Sequence, residues 1–197
     1  MIQSFATKSL LVDTTRITLH HINHAEFEQL CQDNPELRLE LTANGELVTM
    51  APAGYESSRK NGDLYYQVAT WSRSNQSGEV FESSAGFTLP SGAVRSPDVT
   101  WIEKSKLTNI APDTAFPLVV PDFVIELRSK TDSLKILQAK MLEYRTNGVQ
   151  LGWLIDPQNQ RVEIYRLDGD VEVLESPITL SGEDVLSGFV LDLTPIW

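Results

Sequence analysis

At 197 residues, 22% of them charged and 41% hydrophobic, the chain suits one soluble globular domain with a sizeable core. No apolar run approaches the roughly 20 residues of a membrane span, and Met1 to Lys8 lack the apolar core of a secretory signal. A net charge of −11 excludes a surface broadly built for phosphate backbones, which leaves a local basic strip or bound cations as ways to hold nucleic acid.

The first residues read as a loose arm, expected over 1–19, with a single domain over 20–197. His20 and His21 read as polar residues at a helix entrance. That helix is expected over His24 to Asp33, with Asn23 as its cap and Asn34-Pro35 ending it. Three histidines and one cysteine fall short of a common structural zinc set. The lone Cys31 rules out an internal disulfide and suits a reducing cytoplasm. Leu37 to Leu41 alternates, Asn44-Gly45 signals a two-residue turn, and Leu47 to Met50 follows, so a hairpin is expected. Tyr55 to Ser74 reads as a long helix with a core stripe of Leu64, Val68 and Trp71.

Short strands are expected at Gly78 to Phe81 and Gly86 to Leu89, then a strand opening at Asp98. Residues 104–120 read as mixed loop. Asp122 to Arg128 is a strand, and a second helix capped by Thr131 or Asp132 runs to about Asn147. Val149 to Ile155 is apolar and stops at Asp156-Pro157. Arg161 to Leu167 and Val171 to Leu174 flank Asp168-Gly169 as a second hairpin, and the tail near Gly188 to Leu193 suits one more strand. This order predicts an α/β (α+β) domain with a mixed sheet.

One residue breaks the apolar pattern. Phe123-Val124-Ile125-Glu126-Leu127 reads as a strand buried on both faces, and a carboxylate there is costly unless paired, protonated or bound to a metal. Asp98 stands in a similar setting in Pro97-Asp98-Val99-Thr100-Trp101-Ile102. If the two strands pair, Asp98 and Glu126 converge, and two carboxylates with waters and a phosphate suit Mg2+ or Mn2+. Alternation places Asp122, Val124, Glu126 and Arg128 on one face. In the following helix Leu134, Leu137, Met141 and Tyr144 form the apolar stripe, with Lys140 and Gln138 on its two margins. Lys140 can therefore reach the end of the preceding strand, where its ammonium could stabilise phosphorane charge or orient water. Arg128 could do the first but hardly act as a base. Against this stands a plainer reading, in which Glu126 is paired with Arg128 or Lys140 for structure alone. Arg95 and Arg128 could contact phosphate or merely neutralise acids.

Several ordered pieces resemble a known family. They are Ser96-Pro97-Asp98-Val99, Pro121 through Ser129, Asp132-Ser133-Leu134, Lys140 through Tyr144, Gly148-Val149 and Gly152 through Pro157. Together they resemble the Uma-two family of endonucleases, within the restriction-endonuclease-like PD-(D/E)xK superfamily, over roughly residues 20 to 195. The resemblance implies a mixed central sheet flanked by helices, and a metal site holding Mg2+ or Mn2+. It implies Asp98 and Glu126 as the acids, Glu56 as an early-helix acid near the metal, and Lys140 as the cation, because Arg128 stands where the strand lysine is expected. Lys140 to Tyr144 also resembles a Gln-x-x-x-Tyr helix signature of related nucleases. Gln138, Tyr144 and Arg128 become candidates for supporting the acids or contacting phosphate. DNA is the implied substrate, and a homodimer would suit cutting both strands. The alternative is a catalytically inactive nuclease fold used as a binding or assembly module.

Overall fold

In the computed structural model, residues 18–19 and 22–197 are described. The expected arm lies outside them except for Thr18–Leu19, and so do His20 and His21. Thr18–Leu19 forms β1. Asn23 opens α1 (His24–Asp33) through a reciprocal pair of bonds. Its side chain accepts from the Glu26 N–H at 3.0 Å, and the Glu26 carboxylate accepts from the Asn23 N–H at 2.9 Å. The hairpin β2 (Arg38–Leu41) and β3 (Leu47–Met50) turns at Gly45, whose φ of 74° lies in the left-handed region. Then follow α2 (Tyr55–Asn75), β4 (Gly78–Glu82), β5 (Phe87–Thr88), β6 (Val94–Arg95) and β7 (Val99–Glu103). A four-residue helix, α3 (Lys104–Leu107), interrupts the stretch expected as loop.

β8 (Phe123–Leu127) carries the apolar run. The next helix, α4 (Leu134–Thr146), starts later than expected, with Ser133 and not Thr131 or Asp132 at its cap position. The reason is local. The Asp132 carboxylate accepts from the Ser129 N–H at 2.8 Å, which commits it to the turn before the helix. The chain ends with β9 (Leu151–Asp156), β10 (Arg161–Arg166), β11 (Glu172–Glu175), β12 (Thr179–Ser181) and β13 (Val190–Asp192).

The central sheet has the order β11-β10-β9-β8-β7-β4. β8 and β9 run parallel and the other neighbours antiparallel, so the sheet is mixed. This is the α/β architecture with a mixed sheet that was expected. A second sheet, β1-β3-β2-β6-β5, packs beside it, and β12-β13 form a separate ribbon. Alternation along β8 divides the core. Phe123, Ile125 and Leu127 face one side, with Trp101, Trp153, and Leu64 and Val68 of α2. Val124 faces the other, with Leu154, Tyr165, and Met141 and Tyr144 of α4. Glu126 belongs by parity to this second side, under α4.

Gly78 opens β4 directly against β7. A Cβ there would collide with the Ile102 carbonyl oxygen and the Trp101 indole, neither of which has room to retreat. Gly78→Ala is therefore expected to cost about 1–3 kcal/mol, read as a lower urea midpoint. An unchanged midpoint would show that β4 shifts freely on its edge.

Candidate active site

The register of β7 against β8 sets the site. Val99 lies opposite Ile125 and Thr100 opposite Val124, so one step further Asp98 meets Glu126. The Asp98 Oδ2 accepts from the Leu127 N–H at 2.8 Å, which pins the acid to the end of β8. Glu126 is 4% exposed. Its Oε1 accepts from the Tyr144 hydroxyl at 2.8 Å and lies 2.8 Å from Lys140 Nζ. Lys140 and Tyr144 are four residues apart on α4, so they share a face and reach the same carboxylate.

A third acid arrives from the second sheet. Glu40 of β2 is 3% exposed, and its Oε1 lies 2.9 Å from Lys140 Nζ. The same oxygen accepts from the Ser96 N–H at 2.9 Å, and Oε2 pairs with Arg95 Nη1 at 3.0 Å. Arg95 Nε in turn donates to Glu143 Oε2 at 2.5 Å, so α4 closes the network with a second side chain. Glu143, Arg95, Glu40, Lys140 and Glu126 thus form one chain of alternating charges, which Tyr144 joins at Glu126 as a neutral donor.

The electrostatics separate the two glutamates. Burial raises the Glu126 carboxyl to about 7, with Asp98 and Glu40 adding to the rise and Lys140 only partly offsetting it. Burial also raises Asp98, against the Leu127 N–H. For Glu40 burial acts in the same direction, but Lys140 and then Arg95 overcome it and hold the carboxyl below its ordinary range. Burial opposes the charge of Lys140, yet Glu126 and Glu40 raise it above a free lysine. Burial and Glu126 raise Tyr144, so it keeps its proton and donates.

The structure brings together Asp98, Glu126, Lys140 and Tyr144, and sets other candidates elsewhere. Glu56 is exposed in the first turn of α2 and pairs with Arg59 on its own helix at 3.5 Å. It shares no hydrogen bond or ion pair with Asp98, Glu126 or Lys140 among the described residues. Arg128 follows the end of β8. One step beyond the Leu127–Ile155 pair its neighbour across the parallel ladder is Asp156, and the two pair at 2.7 Å. Gln138 donates to Glu163 Oε1 at 2.8 Å, and Glu163 also accepts from the Tyr165 hydroxyl. Sequence reasoning missed Glu40 as a site residue. Its place between Leu39 and Leu41 reads as the outward position of an alternating strand. Only the cations brought to it, Lys140 of α4 and Arg95 of β6, turn that position to use in the interior.

The donor set fits a hard divalent cation. Asp98 Oδ1 and Glu126 Oε2 accept no hydrogen bond from the described residues, which leaves one oxygen of each acid open. No group of three or more His, Cys, Asp or Glu among the described residues forms a ready metal cage. A two-carboxylate site of this kind leaves the remaining positions to water and substrate, as Mg2+ tolerates well. Both Glu40 oxygens already accept from Arg95, Lys140 or Ser96, so Glu40 serves the cations.

A family model, Uma2, described as "Putative restriction endonuclease", matches residues 24–194. A crystal structure described as that of "a putative nuclease belonging to DUF820" from Anabaena variabilis ATCC 29413 shares the fold with a TM-score of 0.75. The likeness covers 89% of this chain and 97% of that one, at 22% identity. No curated protein matches the chain. No helix among the described residues is long and apolar enough to cross a membrane.

Proposed function

The chain belongs to the Uma2 family, described as "Putative restriction endonuclease", and from that premise we propose that it is a metal-dependent endonuclease hydrolysing phosphodiester bonds of DNA. The observation that carries the reading is Glu126, buried in an apolar strand beside Asp98 and joined at 2.8 Å to Lys140 of the next helix. Asp98 and Glu126 would hold Mg2+ or Mn2+ through their open oxygens. When bound, such an ion supplies Lewis-acid activation of a phosphoryl oxygen and of water.

The chain's own groups do the rest. Tyr144 fixes the Glu126 carboxylate by donating to Oε1, which leaves Oε2 without a donor among the described residues. Lys140 holds its proton more tightly than a free lysine, so in this setting it acts as a lasting positive charge and not as a base. Its charge would stabilise the negative charge that develops on the scissile phosphate. Arg95, locked between Glu40 and Glu143, keeps Glu40 ionised and in place beneath Lys140. Bound cations also answer the charge of −11, because they neutralise the acids where a polyanion must approach. Two copies acting as a homodimer would cut both strands of a duplex.

Incubation of plasmid DNA with Mg2+ and either the native chain or Glu126→Ala tests the reading. The variant is expected to nick at below roughly one hundredth of the native rate. Equal rates would end the nuclease assignment and leave the fold as a binding or assembly module.

A further inference from the structure

One ammonium joins the two sheets. Lys140 Nζ stands 2.8 Å from Glu126 Oε1 and 2.9 Å from Glu40 Oε1, so a single positive charge bridges two carboxylates of different strands. The acids differ in what else holds them. Without the lysine, Glu40 still has Arg95 at 3.0 Å and the Ser96 N–H at 2.9 Å. Among the described residues Glu126 has only the Tyr144 hydroxyl, and of the two acids it is the one that a step beyond the Val99–Ile125 pair places opposite Asp98.

Building on the metal-dependent reading above, we propose that Lys140 is an internal competitor for the metal, seated on Glu126 in the metal-free chain, displaced from it when the ion binds, and retained at the site by Glu40. A divalent cation on one oxygen of Glu126 and an ammonium on the other repel each other strongly in so dry a place. Glu126 is therefore contested. Glu40 is not, because both its oxygens already accept from Lys140, Arg95 and the Ser96 N–H. The lysine stem is flexible and its head carries three donors, so it can release one acceptor and keep another. Arg95 cannot take this part, since Glu40 and Glu143 hold its guanidinium from two sides. Glu40 is thus a positioning residue: it keeps a mobile cation where the ion leaves it, free to turn toward a substrate phosphate.

Calorimetric titration of the full chain with Mn2+, at one mildly alkaline pH, tests this. Lys140→Met is expected to bind Mn2+ roughly tenfold more tightly than the native chain. Adding Glu40→Gln to Lys140→Met is expected to change that affinity by less than about threefold, whereas a metal ligand would lose far more. A second measurement needs no variant fold. In nitrogen-15 spectra of the native chain's lysine ammonium groups, the Lys140 signal is expected to shift in step with Mg2+ saturation. Saturable native binding that Lys140→Met leaves unchanged or weakens, with an unmoved Lys140 signal, would overturn the competition while sparing the metal site. A tenfold loss on adding Glu40→Gln would make Glu40 a ligand and overturn its positioning role. No saturable binding by any of these proteins would overturn the metal reading, and the competition with it.

Discussion

Glu126→Gln is expected to make the metal-free protein more stable above neutral pH. Glu126 is raised from its ordinary 4.5 to about 7 because burial, Asp98 and Glu40 all oppose its charge more than Lys140 favours it. A carboxyl raised on folding contributes stability that is full below the unfolded value and is lost as pH climbs through the folded one. The loss here falls between about pH 4.5 and 7. Glutamine keeps the shape, still accepts from Tyr144, and carries no charge to desolvate. Its gain at about pH 8 is of order 1–3 kcal/mol, or about 2–4 °C in Tm for each kcal/mol in a chain of this size. The measurement is a pair of thermal melts with chelator at about pH 5 and pH 8. The variant should lead clearly at the higher pH and by little at the lower. A variant that melts lower at alkaline pH would show that the Lys140 pair outweighs burial, and that Glu126 is held for structure. Stability gained on removing a charged group, together with loss of cleavage, marks a group retained for function.

Much of this site was legible in the residues. Glu126 announced itself because nothing else in Phe123 to Leu127 is polar, and Asp98 because a second apolar strand begins at it. Lys140 followed from helix arithmetic, since a residue on the margin of the Leu137–Met141–Tyr144 stripe must skirt the strand that stripe covers. The Asn23 cap and the Asn44-Gly45 turn were equally local, and each fixed an element boundary. What was not legible depends on neighbours distant in sequence. Glu40 looks like the solvent side of a hairpin until Lys140 of α4 and Arg95 of β6 are seen to close on it. Arg128 shares strand parity with Glu126, but parity along one strand says nothing of Asp156 on the next, and opposite charge at 2.7 Å captures the guanidinium there. Glu56 shows the converse limit. Its first-turn position suits the helix dipole and Arg59 as well as any metal. β6 is two residues long, too short for any period to show, yet it carries Arg95, the anchor of the network.

Glu40→Ala is expected to do the opposite of Glu126→Gln, although both remove a buried glutamate from the same network. Glu40 is the acid whose carboxyl lies below its ordinary range, so its charge is more at home in the fold than in water. It accepts from Lys140, Arg95 and the Ser96 N–H, and its removal strands two buried cations and a backbone donor at once. Breaking a buried pair by deleting one partner costs about 3–5 kcal/mol, because the remaining charge keeps its desolvation penalty. Glu126 and Glu143 stay beside the stranded cations, which places the expected loss nearer the lower figure. A depressed carboxyl contributes stability that is present above the unfolded value and lost as pH falls through the folded one. The gap between native chain and Glu40→Ala should therefore be widest near neutrality and narrow in acid, below the ordinary 4.5. Urea midpoints across that range give the answer. Equal midpoints at neutral pH would mean that Lys140 and Arg95 find water or other acids when Glu40 is gone, and that the bridge between the two sheets is dispensable. Opposite signs for the two glutamates would separate their tasks: one holds the cations in the fold, and the other is kept ionisable at the fold's expense.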